Sequence, residues 1–271
     1  MSFFPSDYIG DEVADYFNEA AVHQIKCAWN ANVVRAPTMP KEDKVGGWMT
    51  DKDRDYSRLK KVVDAAIKEG IYVIVDWHAF NDPHIDGAKD FFANISKTYG
   101  SFPNIIYEIW NEPDGENGTW PLVKEYAEEI IDTIRQNDPN NIIIVGTPNW
   151  SQRVDQAAQD PINLTNIAYT LHYYAASHGQ PIRDIALSAI NQGLPIFITE
   201  YGTVTYTGAG PMNESEANLC PMPIAVYKTL QLTNLVILHF GPHPGNWLIK
   251  NLGAPIKELT ATIMVRIKSI F

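Results

Sequence analysis

The chain has 271 residues, of which 45% are hydrophobic, so it is long enough for one large domain with a sizeable core. It carries 21 Lys and Arg against 32 Asp and Glu, and this net charge of −11 argues against nucleic acid and anionic membrane surfaces as partners. Only 20% of the residues are charged, and no apolar run approaches the roughly 18 residues that cross a bilayer, which excludes disordered and membrane-spanning classes. No secretion signal is visible after Met1, and two cysteines, Cys27 and Cys220, cannot build a disulfide framework.

Short apolar runs recur along the chain and predict strands. We place these strands over residues 32–36, 71–78, 104–110, 141–146, 167–174, 195–201 and 234–240. Most runs are nearly continuous rather than alternating, which is typical of parallel strands that are buried on both faces.

Helical patterns lie between the predicted strands. Apolar residues recur at helical spacing over 56–69, 120–137 and 182–191, and a further helix over 253–270 would close the chain. Alternating strands and helices in a chain of this length favour a single-domain (β/α)8 TIM barrel over residues 1–271, since such barrels have about 250 residues. The alternative is an open, doubly wound sheet, but its usual glycine-rich phosphate turn is missing here.

Polar side chains gather at the carboxyl ends of the predicted strands, where a barrel of this type builds its active site. They are Arg35, Asp76, Trp77, His78, Asn111, Glu112, Trp150, His172, Tyr174, Glu200 and Tyr201. Because ionisable groups are costly in a core, their accumulation at one end indicates a functional site.

Two glutamates stand out among these residues. Glu112 follows the strand over 104–110, and Glu200 closes the strand over 195–201. Counted with a strand ahead of Met1, these are the fourth and seventh strands, which face each other across a small barrel. Paired carboxylates in unlike environments are what glycoside hydrolysis needs, one protonated and one ionised. For either glutamate alone, capping a strand or pairing with an arginine is the alternative.

The segments around these residues resemble glycoside hydrolase family 5, especially its bacterial-type endoglucanase (cellulase) branch. The matching segments are 33–36, 62–67, 70–78, 104–113, 144–152, 169–174 and 197–203. The Asn-Glu-Pro tripeptide at 111–113 is weak evidence alone. In order with His-x-Tyr at 172–174 and Thr-Glu-x-Gly at 199–202, it is highly specific. The likeness runs from Met1 to about Asn218.

The resemblance implies a retaining endo-β-1,4-glucanase that cleaves internal bonds of cellulose or related β-glucans by double displacement, without a cofactor or metal. It implies that Glu112 is the general acid/base and Glu200 the nucleophile. The other implied contacts are Arg35 and Tyr174 to the nucleophile, Asn111 to the sugar 2-hydroxyl, and His78 and His172 at the cleaved bond.

Elementary electrostatics gives these implied roles a physical reason. Arg35 would keep Glu200 ionised, because a nearby positive charge lowers the pKa of a carboxyl group. We expect Glu112, flanked by Trp110 and Pro113 and further from a cation, to stay protonated near neutrality. We also predict a carboxyl separation of about 5–5.5 Å, whereas a separation beyond about 6.5 Å would indicate inversion.

Simpler interpretations remain open for several of these residues. His78 and His172 are alternatively core histidines whose hydrogen bonds are satisfied. Asp76 and His78 form a pair that metal-dependent barrel hydrolases share, but no third and fourth ligand is at hand, so we expect no metal. Tryptophan is a common core residue, and among those near the site only Trp150, in a polar loop, is predicted to stack on a sugar.

Two segments depart from the family pattern. Family members carry a strand before the position of Met1, so we expect either a different N-terminal segment in its place or an incomplete sequence. After about Leu219 the match fades. The tryptophan that the family carries on its eighth strand is replaced by an aliphatic residue near Ile237, with Phe240 or Trp247 as alternatives.

The substrate class sets the remaining expectations. We expect a polysaccharide partner, no nucleic acid or membrane partner, a monomer, and secretion, because cellulose cannot enter a cell. A near alternative keeps the mechanism but acts on mannan, xylan or a mixed-linkage glucan. A more distant alternative is a non-catalytic barrel that only binds carbohydrate.

Overall fold

A computed structural model describes residues 1–3, 16–41 and 47–219, together with the backbone of residues 235–237. Its helices are α1 (Glu19–Trp29), α2 (Lys52–Glu69), α3 (Ile85–Tyr99), α4 (Trp120–Arg135), α5 (Pro148–Ser151), α6 (Val154–Gln159), α7 (Gln180–Asn191) and α8 (Glu214–Leu219). Its strands are β1 (Val33–Thr38), β2 (Tyr72–Trp77), β3 (Ile105–Glu108), β4 (Ile143–Val145), β5 (Ile167–Tyr174), β6 (Ile196–Gly202) and β7 (Leu235–Ile237). Among the described helices, none has the length and apolarity that a membrane crossing requires.

The strands form one parallel sheet in which each strand pairs with its neighbours in chain order, from β1 to β7. A doubly wound sheet reverses its strand order at a switch point, so the sequential order excludes that alternative. At least one helix separates each pair of consecutive strands. The observed order is that of the predicted (β/α)8 barrel.

The N-terminal residues lie along the outer edge of β1, where the family carries its first strand. The Arg35 N–H donates to the Met1 carbonyl at 2.8 Å, and the Phe3 N–H donates to the Arg35 carbonyl at 2.9 Å. The rings of Phe3 and Phe17 then pack with their centroids 5.2 Å apart. Residues 1–3 therefore pair with β1 in parallel, on the edge where the expected first strand would lie.

The inner face of the sheet carries an apolar layer with a polar layer directly above it. The inner apolar residues include Val33, Ile74, Ile106, Ile144, Ala168 and Phe197. Side chains alternate along a strand, so residues two positions further on share the same face. At five of these positions stand Arg35, Asp76, Glu108, Thr170 and Thr199, all buried. The polar layer faces the carboxyl ends of the strands.

The helices differ from the predicted ones mainly at their beginnings. Helix α2 begins at Lys52, four residues before the predicted start at 56, because the Asp51 side chain caps it by accepting from the Arg54 N–H at 3.3 Å. Gly70 ends it in a left-handed conformation, as predicted. Helices α1 and α3 were not among the predicted helices. The predicted helix over 253–270, Cys220, Phe240 and Trp247 lie outside the described residues, as does the side chain of Ile237.

Candidate active site

A buried arginine on β1 forms the centre of the polar layer. The Arg35 Nε–H donates to Glu108 Oε2 at 2.7 Å, and one terminal nitrogen donates to Asn111 Oδ1 at 2.7 Å. The same nitrogen lies 2.8 Å from Asp76 Oδ2, and the other lies 3.5 Å from Glu200 Oε2. Burial alone would lower the pKa of Arg35, but the three carboxylates raise it above its ordinary value. The guanidinium is therefore a permanent cation.

The carboxylate of Glu200 is held in its charged form from several sides. One oxygen faces Arg35, and the other accepts a short hydrogen bond from the Tyr174 hydroxyl. Burial would raise the pKa of Glu200, but the charges of His172 and Arg35 and the Tyr174 hydrogen bond together lower it below its usual value. The ionised state predicted for Glu200 is thus what its surroundings favour.

A β-bulge in β6 lets two successive side chains reach the same network. Thr170 on β5 pairs with Phe197 on β6, and His172 on β5 pairs with Glu200 on β6. The pairing thus advances by two residues along β5 but by three along β6. The extra residue breaks the alternation, and bulges re-aim side chains in this way. Consequently Thr199 donates to a buried carboxylate on β3, and its neighbour Glu200 contacts the arginine and the tyrosine.

Glu112 has a direct cationic partner. It follows β3, and its Oε1 lies 2.8 Å from His172 Nδ1. Burial would lower the pKa of His172, but the surrounding carboxylates of Glu200, Glu108 and Glu112 raise it to about 10. The expectation that Glu112 lies further from a cation than Glu200 does is therefore wrong, since Arg35 is 3.5 Å from Glu200 Oε2. The chain positions of the two residues, 60 apart, gave no sign of this contact.

The two glutamates stand close together across the site. One carboxylate oxygen of Glu112 and one of Glu200 lie within 4.8 Å of each other and of a ring nitrogen of His172. The two carboxylates therefore face one cleft, and the separation of about 5–5.5 Å between the carboxyl groups stays a prediction.

Two groups among the described residues have the spacing to hold a metal ion. One consists of Glu112, His172 and Glu200, and the other of His23, Cys27 and Glu69 on the surface of α1 and the end of α2. That the reaction needs no metal stays a prediction.

Asn111 and His78 are fixed by the same polar layer. Asn111 Oδ1 is taken by Arg35, while its buried Nδ2 has no hydrogen-bond partner among the described residues. Such a donor is costly to leave unpaired. His78 Nδ1 lies 2.7 Å from Asp76 Oδ2, which orients the ring. His78 is therefore part of the network that also holds Arg35.

Trp150 is carried by a strained turn. Asn149, Trp150 and Ser151 all have positive φ, at 58°, 55° and 56°, a region that costs non-glycine residues on the order of 1 kcal/mol or more each. The Trp150 N–H donates to the Pro113 carbonyl at 3.1 Å, and the Ser151 hydroxyl donates to the Asn111 carbonyl at 2.7 Å. The turn is thus tied to the segment that carries Glu112.

The three tryptophans near the site differ in their exposure to solvent. Trp150 is 46% exposed, as a stacking residue must be. Trp77 and Trp110 are buried, and their indole N–H groups donate to the carbonyls of Pro83 and Phe80. Both are therefore core residues.

Glu108 and Thr199 belong to the site but were not among its predicted residues. Glu108 is fully buried, and although burial raises its pKa, Arg35 and His172 lower it to about 2. The available signal was a charged residue inside an apolar run, two positions after Ile106. Buried charges are rare unless they are paired, so that position indicated a partner.

The comparison with known families decides the classification. The sequence model of the family Cellulase (glycosyl hydrolase family 5) matches residues 5–235. The chain belongs to glycosyl hydrolase family 5. Endoglucanase Z of Dickeya dadantii is 42% identical over 205 residues, covering 75% of this chain and 47% of that protein. Endoglucanase A of Evansella cellulosilytica is 43% identical over 209 residues, covering 75% and 42%. The chain spans less than half the length of these two relatives.

Solved structures agree with this family assignment. The catalytic domain of Thermobifida fusca endoglucanase Cel5A superposes with a TM-score of 0.77 at 31% identity, covering 97% of this chain and 90% of that one. A structure from Cytophaga hutchinsonii gives 0.78 at 34%, covering 100% and 90%. The family resemblance and the (β/α)8 fold class, with a first strand that is missing or non-standard, are thereby confirmed.

Proposed function

We propose that this family 5 chain is a retaining endo-β-1,4-glucanase that hydrolyses internal bonds of cellulose or a related β-glucan. The observation that carries the proposal is the pair of carboxylates within 4.8 Å, of which Glu200 is held ionised and Glu112 contacts a proton-bearing histidine. The names of the relatives, which are endoglucanases, support the same activity.

In the first step, Glu200 is the nucleophile. Its oxygen forms a bond to the anomeric carbon while the glycosidic bond breaks, and the leaving oxygen takes a proton from Glu112. Arg35 and Tyr174 fix the direction of the attacking carboxylate. Its negative charge also stabilises the positive charge that develops on the sugar ring in the transition state.

In the second step, water replaces the enzyme on the sugar. The water oxygen bonds to the anomeric carbon while Glu112 takes a proton from that water, and the ester bond between Glu200 and the sugar breaks. Esterified Glu200 carries no charge, so the pKa of neighbouring His172 falls during the intermediate, since Glu200 is one of the anions that raise it. Two inversions at one carbon retain its configuration.

Three further residues are proposed to contact the substrate. The unpaired Nδ2 of Asn111 is the donor for the sugar 2-hydroxyl, and the exposed ring of Trp150 is a stacking surface. His78, oriented by Asp76, lies in the same network as Arg35 and contacts the sugar at the cleaved bond.

The remaining parts of the proposal concern the setting of the enzyme. We assign residues 1–271 to one catalytic domain that acts as a secreted monomer on a neutral polysaccharide. The charge of −11 supports a partner that is neither nucleic acid nor an anionic membrane.

The test is release of reducing ends from carboxymethyl cellulose and from mannan. We expect wild type to act on the cellulose derivative, and Glu200→Gln and Glu112→Gln to lose several orders of magnitude of activity. Glu128→Gln, the same chemical change on an exposed face of α4, is the control and should retain activity. Faster release from mannan would revise the substrate, and sugar binding without wild-type turnover would support the non-catalytic alternative.

Azide separates the two roles. Azide replaces a missing nucleophile on the opposite face of the sugar from the leaving group, whereas with the acid/base missing it attacks the glycosyl-enzyme. We expect Glu200→Ala to yield the α-glycosyl azide and Glu112→Ala the β-glycosyl azide. The reverse pattern would exchange the assigned roles.

A further inference from the structure

A buried chain of hydrogen bonds joins Glu112 to Glu108. Glu112 Oε1 lies 2.8 Å from His172 Nδ1, and His172 Nε2 lies 3.1 Å from Thr199 Oγ1. The Thr199 hydroxyl donates to Glu108 Oε1 at 2.7 Å and also contacts the Thr170 hydroxyl. Apart from Glu112, every member is at most 1% exposed.

The donors and acceptors along this series of hydrogen bonds determine in which direction each hydrogen bond is donated. Ionised Glu108 can only accept, and the Thr199 hydroxyl has a single hydrogen, which must point to that carboxylate. The lone pairs of Thr199 are then left to accept from His172 Nε2–H and from the Thr170 hydroxyl. The proton on Nε2 is thereby committed, and the proton between Nδ1 and Glu112 is the one that can be transferred.

The ring of His172 is well placed to carry that second proton. Anions face it from β3, from β6 and from the segment after β3, with Glu108 Oε1 3.8 Å from Nε2, Glu200 Oε2 4.0 Å from Nδ1 and Glu112 Oε1 2.8 Å from Nδ1. The Arg35 cation shares Glu200 Oε2 with the ring, at 3.5 Å. Another titratable group near the ring is His178, a loop histidine whose pKa is lowered by burial and by the charge of His172. Negative neighbours therefore dominate the surroundings of the ring.

We propose that the proton for the leaving group is stored on the Glu112–His172 pair, and that Glu108, acting through Thr199, is a positioning residue that holds it between Nδ1 and Oε1. This inference rests on the proposed function. The inference goes beyond the proposed function in two ways. It assigns the catalytic proton to two side chains, Glu112 and His172, and it assigns the positioning of that proton to Glu108, a carboxylate that does not touch substrate.

The proton and charge balance of the first step follows from this arrangement. The proton leaves Nδ1 and passes through Glu112 Oε1 to the leaving oxygen, which keeps the electron pair of the broken glycosidic bond. Glu200 forms the new carbon–oxygen bond and loses its negative charge, while His172 becomes neutral and keeps its Nε2 proton. The summed charge of the three side chains is unchanged. In the second step, the proton of the attacking water returns to the pair as the ester bond breaks.

The kinetic test compares a substrate that needs an acid with one that does not. Thr199→Val removes the hydroxyl at nearly constant shape, and Thr199→Ser keeps a hydroxyl at that position. Thr147→Val is the control, because it removes a buried hydroxyl that is not part of the series from Glu112 to Glu108. The substrates are cellotetraose and 2,4-dinitrophenyl cellobioside, whose leaving group departs without protonation. We expect Thr199→Val to lower kcat/KM for cellotetraose by about 10²-fold, the lower range for general acid catalysis, with little effect on the activated substrate.

The outcomes of the kinetic test are distinct. Thr199→Ser and Thr147→Val should behave like wild type on both substrates. An equal loss on both substrates in Thr199→Val would show a merely structural role and overturn the proposal. A wild type that hydrolyses neither substrate would instead overturn the proposed function.

The spectroscopic test needs no turnover. In Glu108→Gln, the side-chain carbonyl must accept from Arg35 Nε–H, so the amide faces Thr199 and donates to it. The Thr199 hydroxyl then has two possible acceptors, Thr170 Oγ1 and His172 Nε2, and adding Thr170→Val removes the first. In the double variant it turns to His172 Nε2, which must lose its proton. Nitrogen-15 spectra of the seven histidines, with His172→Asn assigning the signal, should show Nε2 protonated in wild type and unprotonated in Glu108→Gln/Thr170→Val. Protonated Nε2 in both proteins would overturn the proposal.

Discussion

Replacing Tyr174 by phenylalanine tests how the nucleophile is kept ionised. The substitution removes one oxygen, the donor to Glu200 Oε1. The ring should stay in place because it lies directly over Gly202, where a Cβ atom would meet ring carbon Cδ1 at 2.5 Å. The change is therefore confined to one hydrogen bond.

The size of the effect follows from that hydrogen bond. A hydrogen bond to a charged group contributes about 1.5–3 kcal/mol, which corresponds to roughly 1–2 pKa units at about 1.36 kcal/mol per unit. Arg35 and His172 still stabilise the carboxylate in the variant, so we expect a rise of about one unit in the pKa of Glu200. Because the nucleophile acts when ionised, the acid limb of activity should move to higher pH, and the loss should be largest in acid.

The assay is kcat/KM against pH on the activated aryl cellobioside, which reports the free enzyme. Tyr169→Phe is the matched control, since its hydroxyl on the same strand accepts from the Ile162 N–H, away from the carboxylates. Its acid limb should coincide with that of wild type. If the acid limb of Tyr174→Phe stays in place or moves to lower pH, the account of Glu200 given above is refuted.

Three further predictions concern stability. Gly146→Ala puts a Cβ 2.2 Å from the Trp110 carbonyl and should cost about 3 kcal/mol in thermal unfolding, whereas Gly179→Ala, with no atom within 4 Å, should cost little. Tyr107→Phe removes the donor 2.7 Å from Oδ2 of buried Asp138, whose Oδ1 still accepts from two backbone N–H groups, and urea unfolding should show a loss of about 1.5–3 kcal/mol. The lowered pKa of Glu108 contributes stability above pH 4.5 that is lost as pH falls towards about 2, so Glu108→Gln should flatten the stability curve in that window.

The strands, and the carboxyl ends of the strands at which the polar residues of the site lie, could be predicted from the sequence. Strands buried on both faces need nearly continuous apolar residues, and this pattern is local enough to recognise in the chain. Arg35, Glu112 and Glu200 stood out because each is an ionisable residue at or near the end of such a run. Family resemblance then implied their roles.

The parts that escaped prediction depend on contacts between distant segments. In a strand that is apolar on both faces, nothing marks which residues face inwards, so Glu108 was not recognised as a partner of Arg35. The bulge that turns Thr199 into the network is set by the pairing of β5 with β6. Helix α3 begins after His84, which has a left-handed backbone and no side-chain cap, so its start carried no sequence signal.

The strained turn that carries Trp150 has a consequence for protein engineering. Its backbone and its serine hydroxyl bond the two carbonyls on either side of Glu112, those of Asn111 and Pro113. A redesign of this turn to accept a different sugar would therefore also displace the proton donor. Changes of sugar selectivity made in this turn should therefore alter turnover as well.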